Sequence, residues 1–324
     1  MKRKFLTTAV TALLATSMLS ACGMSNKVTF MDFWKKSVAE SVINTVTEVS
    51  EYNVSFTEGS NTSFSVAYQN GTYKTTFISE MKDQKIVYTY TTEFSIQVQY
   101  TCAGETSEWL NDSVTTTVSF QSSNNGLKPI SSEKHGINHS PLSIGPATIT
   151  TAYKKYDMSL KTIYDETCEN ATSTITDNLL DKNNVTTNTF TVSHDSYNYL
   201  DNEQLLFAIR CLNLAENTSA KFRVYSPFAN TTQKIKASCG AEVTKDFTFA
   251  IGGESATRNL AYYPVTVQLS AKNNNTGTPK TLWIAKTTDA QNNTYRNAML
   301  RQEIPLSFNL GTLVFELKNT TFAQ

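Results

Sequence analysis

Apolar and polar residues alternate along most of this chain, and this period of two constrains the fold more than any other feature. The clearest run separates Phe94, Ile96, Val98 and Tyr100 by single polar residues. Successive side chains of a β-strand point to opposite faces, so such runs predict strands with one apolar face. Similar runs are found at about 52–56, 64–68, 73–77, 86–90, 94–100, 114–120, 147–155, 159–166, 186–193, 221–225, 233–239, 243–251, 262–271, 280–287, 296–304 and 306–317.

Glycine, asparagine and proline predict where these strands turn. Asn70-Gly71 lies between two alternating runs, and both central residues of a type I′ turn need positive φ, so we expect a hairpin between strands at about 63–69 and 72–78. Ala103-Gly104 and Gly252-Gly253 predict further turns, the latter a hairpin or bulge rather than a phosphate site. Six glycines and prolines predict a long loop at 124–146, comprising Gly126, Pro129, Gly136, Pro141, Gly145 and Pro146.

Two segments have a helical pattern instead. The first follows a capping box at 29–32, and we expect a helix over 30–48 with an apolar stripe at every fourth residue. The second begins at Asp201 and predicts a helix over 201–214 that is apolar around most of its circumference and hence buried. Arg210 must then reach water or a carboxylate. If the protein has a ligand site, we expect it at Leu205, Leu206 and Ile209.

These elements predict a mainly β protein: a large antiparallel curved sheet, half-barrel or sandwich, with about two helices packed on its apolar face. Residues 29–324 are expected to form one large domain. A curved sheet with apolar helices in its concavity resembles, in pattern only, the half-barrel of Lol-type lipoproteins. The segment from Tyr295 to Leu313 resembles the C-terminal end of uncharacterised families of bacterial exported proteins, a resemblance that implies no activity.

The N-terminus carries an export signal. Lys2, Arg3 and Lys4 precede an uncharged apolar run of about 15 residues, which is short of the ~20 needed to span a bilayer. Leu19-Ser20-Ala21-Cys22 follows and resembles the lipobox of bacterial lipoproteins. We therefore expect a signal peptide at 1–21 and a short tether at 22–28.

The lipobox resemblance implies a location and a membrane partner. In that family the cysteine thiol carries a diacylglyceryl group with palmitate-type chains, which here assigns lipidation to Cys22. The chain has no later apolar run of 18 residues. We therefore expect anchoring by lipid alone, on the extracytoplasmic face of the cell membrane or the outer membrane.

Composition and motifs narrow the function without assigning it. Charged residues are 17% against a usual ~25%, and acids balance bases, which argues against a nucleic-acid partner. Cys102, Cys168, Cys211 and Cys239 allow three disulfide pairings or none. We find no catalytic motif and expect no cofactor. We also expect no metal, because Gly136 and Pro141 disfavour the helix that would place His135 and His139 on one face.

The leading hypothesis is a non-enzymatic lipoprotein that binds an apolar ligand between sheet and helices. One alternative is an exported hydrolase acting on glycan or peptide, whose paired carboxylates are set by spatial distance and leave no trace in sequence spacing. The other is a structural or adhesive envelope protein. The apolar pattern favours binding over these two, and a non-enzyme over an enzyme.

Overall fold

The computed structural model describes residues 30–31, 46–61, 64–123, 126–143, 145–179, 184–192, 198–269, 279–286 and 297–322, and the protein is mainly β as predicted. The lipobox and Cys22 lie outside these residues. The strands are β1 (Val46–Glu58), β2 (Phe64–Lys82), β3 (Lys85–Cys102), β4 (Glu105–Thr106), β5 (Leu110–Ser123), β6 (Gly126–Pro141), β7 (Tyr153–Tyr164), β8 (Asn170–Asp177), β9 (Asn184–Thr191), β10 (Asn198–Tyr199), β11 (Ser219–Ser226), β12 (Thr231–Cys239), β13 (Val243–Ile251), β14 (Glu254–Leu269), β15 (Lys280–Ala285), β16 (Met299–Pro305) and β17 (Gly311–Phe322).

One curved sheet contains all of these strands. Its main ladder runs β9–β8–β7–β6–β5–β3–β2–β1–β17–β16–β15–β14–β12–β11–β10. The pairing is antiparallel except for β10 with β11 and a two-residue contact of β13 with β17. Two-residue turns with positive φ, such as Ala103-Gly104 and Gly252-Gly253, join consecutive strands, as the sequence predicts.

Side chains bring the two ends of this ladder together. The ring centroids of Phe190 on β9 and Tyr225 on β11 are 3.7 Å apart, and the rings are stacked. The hydroxyl oxygens of Tyr164 on β7 and Tyr199 on β10 are 3.1 Å apart. Within the described ranges no backbone ladder joins β9 to β10 or β11. The sheet is thus barrel-like and is closed at this seam by aromatic contacts.

A short helix, α1 (Leu205–Arg210), lies inside the curve of the sheet and follows a 3-10 turn at Asn202–Gln204. Asp201 caps the turn, because its side chain accepts a hydrogen bond from the backbone amide of Glu203 while the Gln204 side chain accepts one from the backbone amide of Asp201. The predicted helix over 201–214 is too long. It ends near Cys211 because Met31 N–H donates to the Cys211 carbonyl and Leu212 forms a β-bridge with Phe30.

The first predicted helix, over 30–48, is wrong at both of its described ends. Phe30 forms a β-bridge, and Val46 begins β1, while residues 32–45 lie outside the described residues. The sequence of this segment is rich in β-branched residues, which favour strands over helices. Among the described residues α1 is therefore the one α-helix, not one of two.

The predicted hairpin at Asn70-Gly71 is also wrong. β2 runs straight through this dipeptide, and Asn70, with φ of 52°, is the extra residue of a β-bulge opposite β3. Gly71 is required for a different reason. A Cβ added there would lie 2.7 Å from Cβ of Val54 on the neighbouring strand β1.

The predicted loop at 124–146 is mostly the strand β6. Pro129 is tolerated because it lies at a bulge opposite Phe120, where the missing N–H interrupts the ladder least, and Pro141 ends the strand. Gly136 pairs with Val114 and Met158 in regular register. Glycine and proline here mark a bulge and a strand end rather than a connection.

Candidate functional site

A cavity of about 370 Å³ lies between α1 and the inner wall of the sheet. Strands β2, β3, β5 and β6 form one part of the wall, and β14 to β17 form the other. The wall is mostly apolar because alternate residues of each strand point inward. Its large apolar side chains include Tyr73, Phe94, Val114, Leu282, Ile304 and Phe315.

The three residues predicted for a ligand site line this cavity. Leu205 and Leu206 are half-buried and Ile209 is fully buried, and all three belong to α1. Three to four residues of a helix make about one turn, so positions 205, 206 and 209 share a face. Sequence reasoning thus identified the helix face, whereas the opposite wall depends on strand pairings that it did not assign.

The other face of α1 packs directly on aromatic rings. The Phe207 ring centroid is 4.6 Å from that of Phe77, 5.1 Å from that of Phe120 and 5.4 Å from that of Tyr90. Ala208 beside it is fully buried. These contacts hold the helix against β2, β3 and β5.

A buried carboxylate fixes the start of the helix. Asp201 Oδ2 accepts hydrogen bonds from Ser132 and Tyr164, each at 2.7 Å, and Oδ1 accepts from the Glu203 amide at 2.9 Å. Burial raises the pKa of Asp201 above its usual range, and the negative charge of Glu203 raises it further. The helix is thereby tied to β6 and β7.

A buried ion pair fixes the end of the helix. Arg210 Nη1 is 2.8 Å from Glu48 Oε1, and Arg210 Nη2 donates to Glu48 Oε2 at 3.0 Å. The guanidinium also donates through Nε to the backbone carbonyl of Asn297. The side-chain amide of Asn297 donates in turn to the backbone carbonyl of Arg210. Burial alone would lower the pKa of Arg210, but the Glu48 carboxylate raises it. The sequence predicts that Arg210 reaches either water or a carboxylate, and the structure pairs it with the Glu48 carboxylate.

Charged side chains lie at the rim of the cavity. Lys134 Nζ on β6 is 3.3 Å from Glu203 Oε1, and Lys280 at the start of β15 lines the same cavity. Lys280 is an exposed residue, but desolvation by the surrounding protein lowers its pKa, the charge of Lys134 lowers it further, and the charge of Glu203 raises it. Sequence reasoning missed both lysines, because it placed Lys134 in a loop and gave Lys280 no role.

The histidines and cysteines form no comparable site. His135 and His139 lie on β6, beside Asp157 at 3.1 Å and Asp112 at 2.7 Å respectively, so they are strand residues and not loop residues. Cys102, Cys168, Cys211 and Cys239 are buried free thiols. In the described ranges no group of three or more His, Cys, Asp or Glu residues is arranged to hold a metal, and no helix there is long and apolar enough to cross a membrane.

Comparison with known proteins finds similarity among solved structures only. No model of a known protein family matches the chain, and no curated protein resembles it significantly. The crystal structure of a β-barrel-like protein of a domain of unknown function, DUF1849, from Brucella abortus superposes with a TM-score of 0.43 at 10% identity. The match covers 87% of this chain and 99% of that chain, and it assigns no activity here.

Proposed function

We propose that this protein is a lipid-anchored extracytoplasmic lipoprotein that binds an apolar ligand, without catalysis, in the cavity beside α1. The cavity carries the proposal. This space of about 370 Å³ is partly open to solvent, is lined mainly by apolar side chains and lies within the size range of ligand pockets.

The fixed position of α1 supports a binding role over a loosely packed core. The helix is tied at Asp201 and at Arg210, so it does not move inward to fill the space. Leu205 and Leu206 remain half-buried beside the cavity although they are apolar. An apolar ligand would remove this surface from water, which is favourable in proportion to the area covered.

The cavity favours binding over hydrolysis. A glycosidase needs two carboxyl groups beside the scissile bond. Within the described part of the chain, Glu203 is the one carboxylate that lines the cavity, and it is paired with Lys134. A ligand held there would meet an apolar wall and the Glu203–Lys134 ion pair rather than an acid and a base.

The anchor in this proposal rests on the lipobox that ends in Cys22. Two or more acyl chains anchor a protein stably, because each buried methylene contributes ~0.8 kcal/mol. Cys22→Ser should therefore leave the protein unprocessed or release it from membranes. Detergent phase partition checks this, and a substituted protein that partitions like the parent would refute the anchor.

Mass spectrometry of co-purified lipids tests the ligand. The chain 23–324 retains every described residue and lacks the anchor, so any lipid found with it is bound noncovalently. We expect a stoichiometric apolar molecule in the wild type and its loss in Leu206→Trp, which fills the cavity. Leu142→Trp, at a site that is 50% exposed, is the matched control and should retain the ligand. Equal recovery from both variants would contradict the proposal.

A further inference from the structure

The rim of the cavity carries an excess of positive charge. Lys134 and Lys280 both line it, against the single carboxylate of Glu203. That carboxylate is already engaged, because it pairs with Lys134 and accepts a hydrogen bond at 2.9 Å from the side-chain amide (Nδ2) of Asn202. Among the described residues Lys280 makes no ion pair and no side-chain hydrogen bond. One cation at the rim therefore has no ion-pair partner in contact with it, although the charge of Glu203 still acts on it from a distance.

The two lysines belong to strands that are far apart in the ladder, β6 and β15, and meet only across the cavity. Two like charges that line one space disfavour each other's charged form, which is consistent with the lowered pKa of Lys280. Lys280 is the exposed first residue of β15, at the mouth of the cavity. An anion at the rim would relieve the repulsion and form charge-assisted hydrogen bonds.

We propose that the ligand is an anionic amphiphile whose apolar chain lies along Leu205, Leu206 and Ile209 and whose acidic group binds Lys280, with Lys134 beside it. This inference rests on the proposed function, because it names the class of molecule that the cavity takes. A carboxylate or a phosphate ester would supply the acidic group equally, since both accept hydrogen bonds from an ammonium.

Photoaffinity labelling of the full chain in its membrane tests this assignment. Two probes are used, decanoate and decanol, each with a diazirine on the alkyl chain, and labelled residues are located by mass spectrometry. Lys280→Gln should lower decanoate labelling at α1 by about fivefold, the size of one ion pair, and leave decanol labelling nearly unchanged. Comparison of each probe with its own wild-type signal removes the difference in membrane partition.

The matched control is Lys74→Gln, which removes a lysine that is paired with Glu93 on the exposed surface of β2 and should change neither signal. Glu203→Gln gives an independent measurement with the opposite sign. It frees Lys134 from its carboxylate, so decanoate labelling should rise and decanol labelling should not.

The outcomes separate this inference from the proposed function. If both probes label α1 and neither Lys280→Gln nor Glu203→Gln changes their ratio, the anionic class is wrong and the apolar site stands. If Lys280→Gln lowers both signals equally, its effect is structural and the anionic class is again overturned. If neither probe labels the cavity residues, the proposed function fails and this inference fails with it.

Discussion

The two faces of α1 contact the same sheet in different ways. On one face Phe207 is 2% exposed and packs against three aromatic rings. On the other face Leu205 and Leu206 are half-buried and border a cavity of about 370 Å³. Both faces are equally apolar in sequence. The comparison teaches that apolar residue type predicts which surfaces leave water but not whether protein atoms fill the space that results.

The polar residues at the ends of α1 explain why this difference persists. Asp201 binds the side chains of β6 and β7, and Arg210 binds Glu48 at the start of β1. Removing one partner of a buried ion pair typically costs about 3–5 kcal/mol, so the helix does not shift easily toward the cavity. The face of α1 that carries Phe207, the closed face, thus stays packed on the sheet. The face that carries Leu205 and Leu206, the open face, stays beside the cavity.

Phe207→Ala, on the closed face, should cause the largest loss of stability. The truncation leaves a void among Phe77, Tyr90 and Phe120, and we expect the free energy of unfolding to fall by about 3–5 kcal/mol. Urea denaturation of the chain 23–324 measures this. Phe228→Ala, at a side chain that is 66% exposed, is the control and should stay within about 0.5 kcal/mol of wild type. A similar loss in both variants would remove the distinction.

Leu206→Ala should have a smaller effect, although Leu206 adjoins Phe207 in sequence. Its side chain is half-buried and borders space that is already open, so the variant loses contacts on one side only. We expect a fall in the free energy of unfolding of about 1–2 kcal/mol, again by urea denaturation. A loss as large as that of Phe207→Ala would mean that Leu206 is fully packed, and the open face would not exist.

The change in stability with pH that is due to Asp201 should be the smallest of the three effects, and it tests the contact at the start of α1 alone. Because burial raises the pKa of Asp201, the stability that this carboxyl contributes is present below its unfolded pKa of about 4 and is lost as pH rises through the folded value. Asp201→Asn removes this dependence and keeps a good N-cap residue. As pH rises above about 4, the wild type should therefore lose stability relative to the variant. Parallel changes in the two proteins would contradict a raised pKa.

Much of the sheet follows from the sequence, because the period of two depends only on alternation and burial. The runs at 221–225, 233–239 and 243–251 correspond closely to β11, β12 and β13. Glycine, asparagine and proline predicted the positions of turns less well. Asn70 adopts positive φ within a bulge, and Pro129 lies at another, so the residues that favour turns also serve bulges inside long strands.

The candidate site likewise has a part that the sequence predicts and a part that it does not. Leu205, Leu206 and Ile209 were identified from local periodicity, because one helix face is set by residues close in sequence. Lys134 and Lys280 meet across strands that are far apart in the chain, and no local pattern encodes that proximity. Predicting the rim would have required knowing that the curved sheet brings β6 and β15, which are not paired, to opposite sides of the same cavity.

Titration calorimetry of decanol with the chain 23–324 and its Leu206→Trp variant tests the central claim most directly. Saturable binding of one molecule per chain by the wild type, with unfolding in urea shifted upward as ligand concentration rises, is the expected result. The filled variant should show neither the heat nor the shift, while Leu142→Trp should show both. Equal binding by Leu206→Trp and wild type, or no saturable binding by the wild type, would contradict a ligand site beside α1.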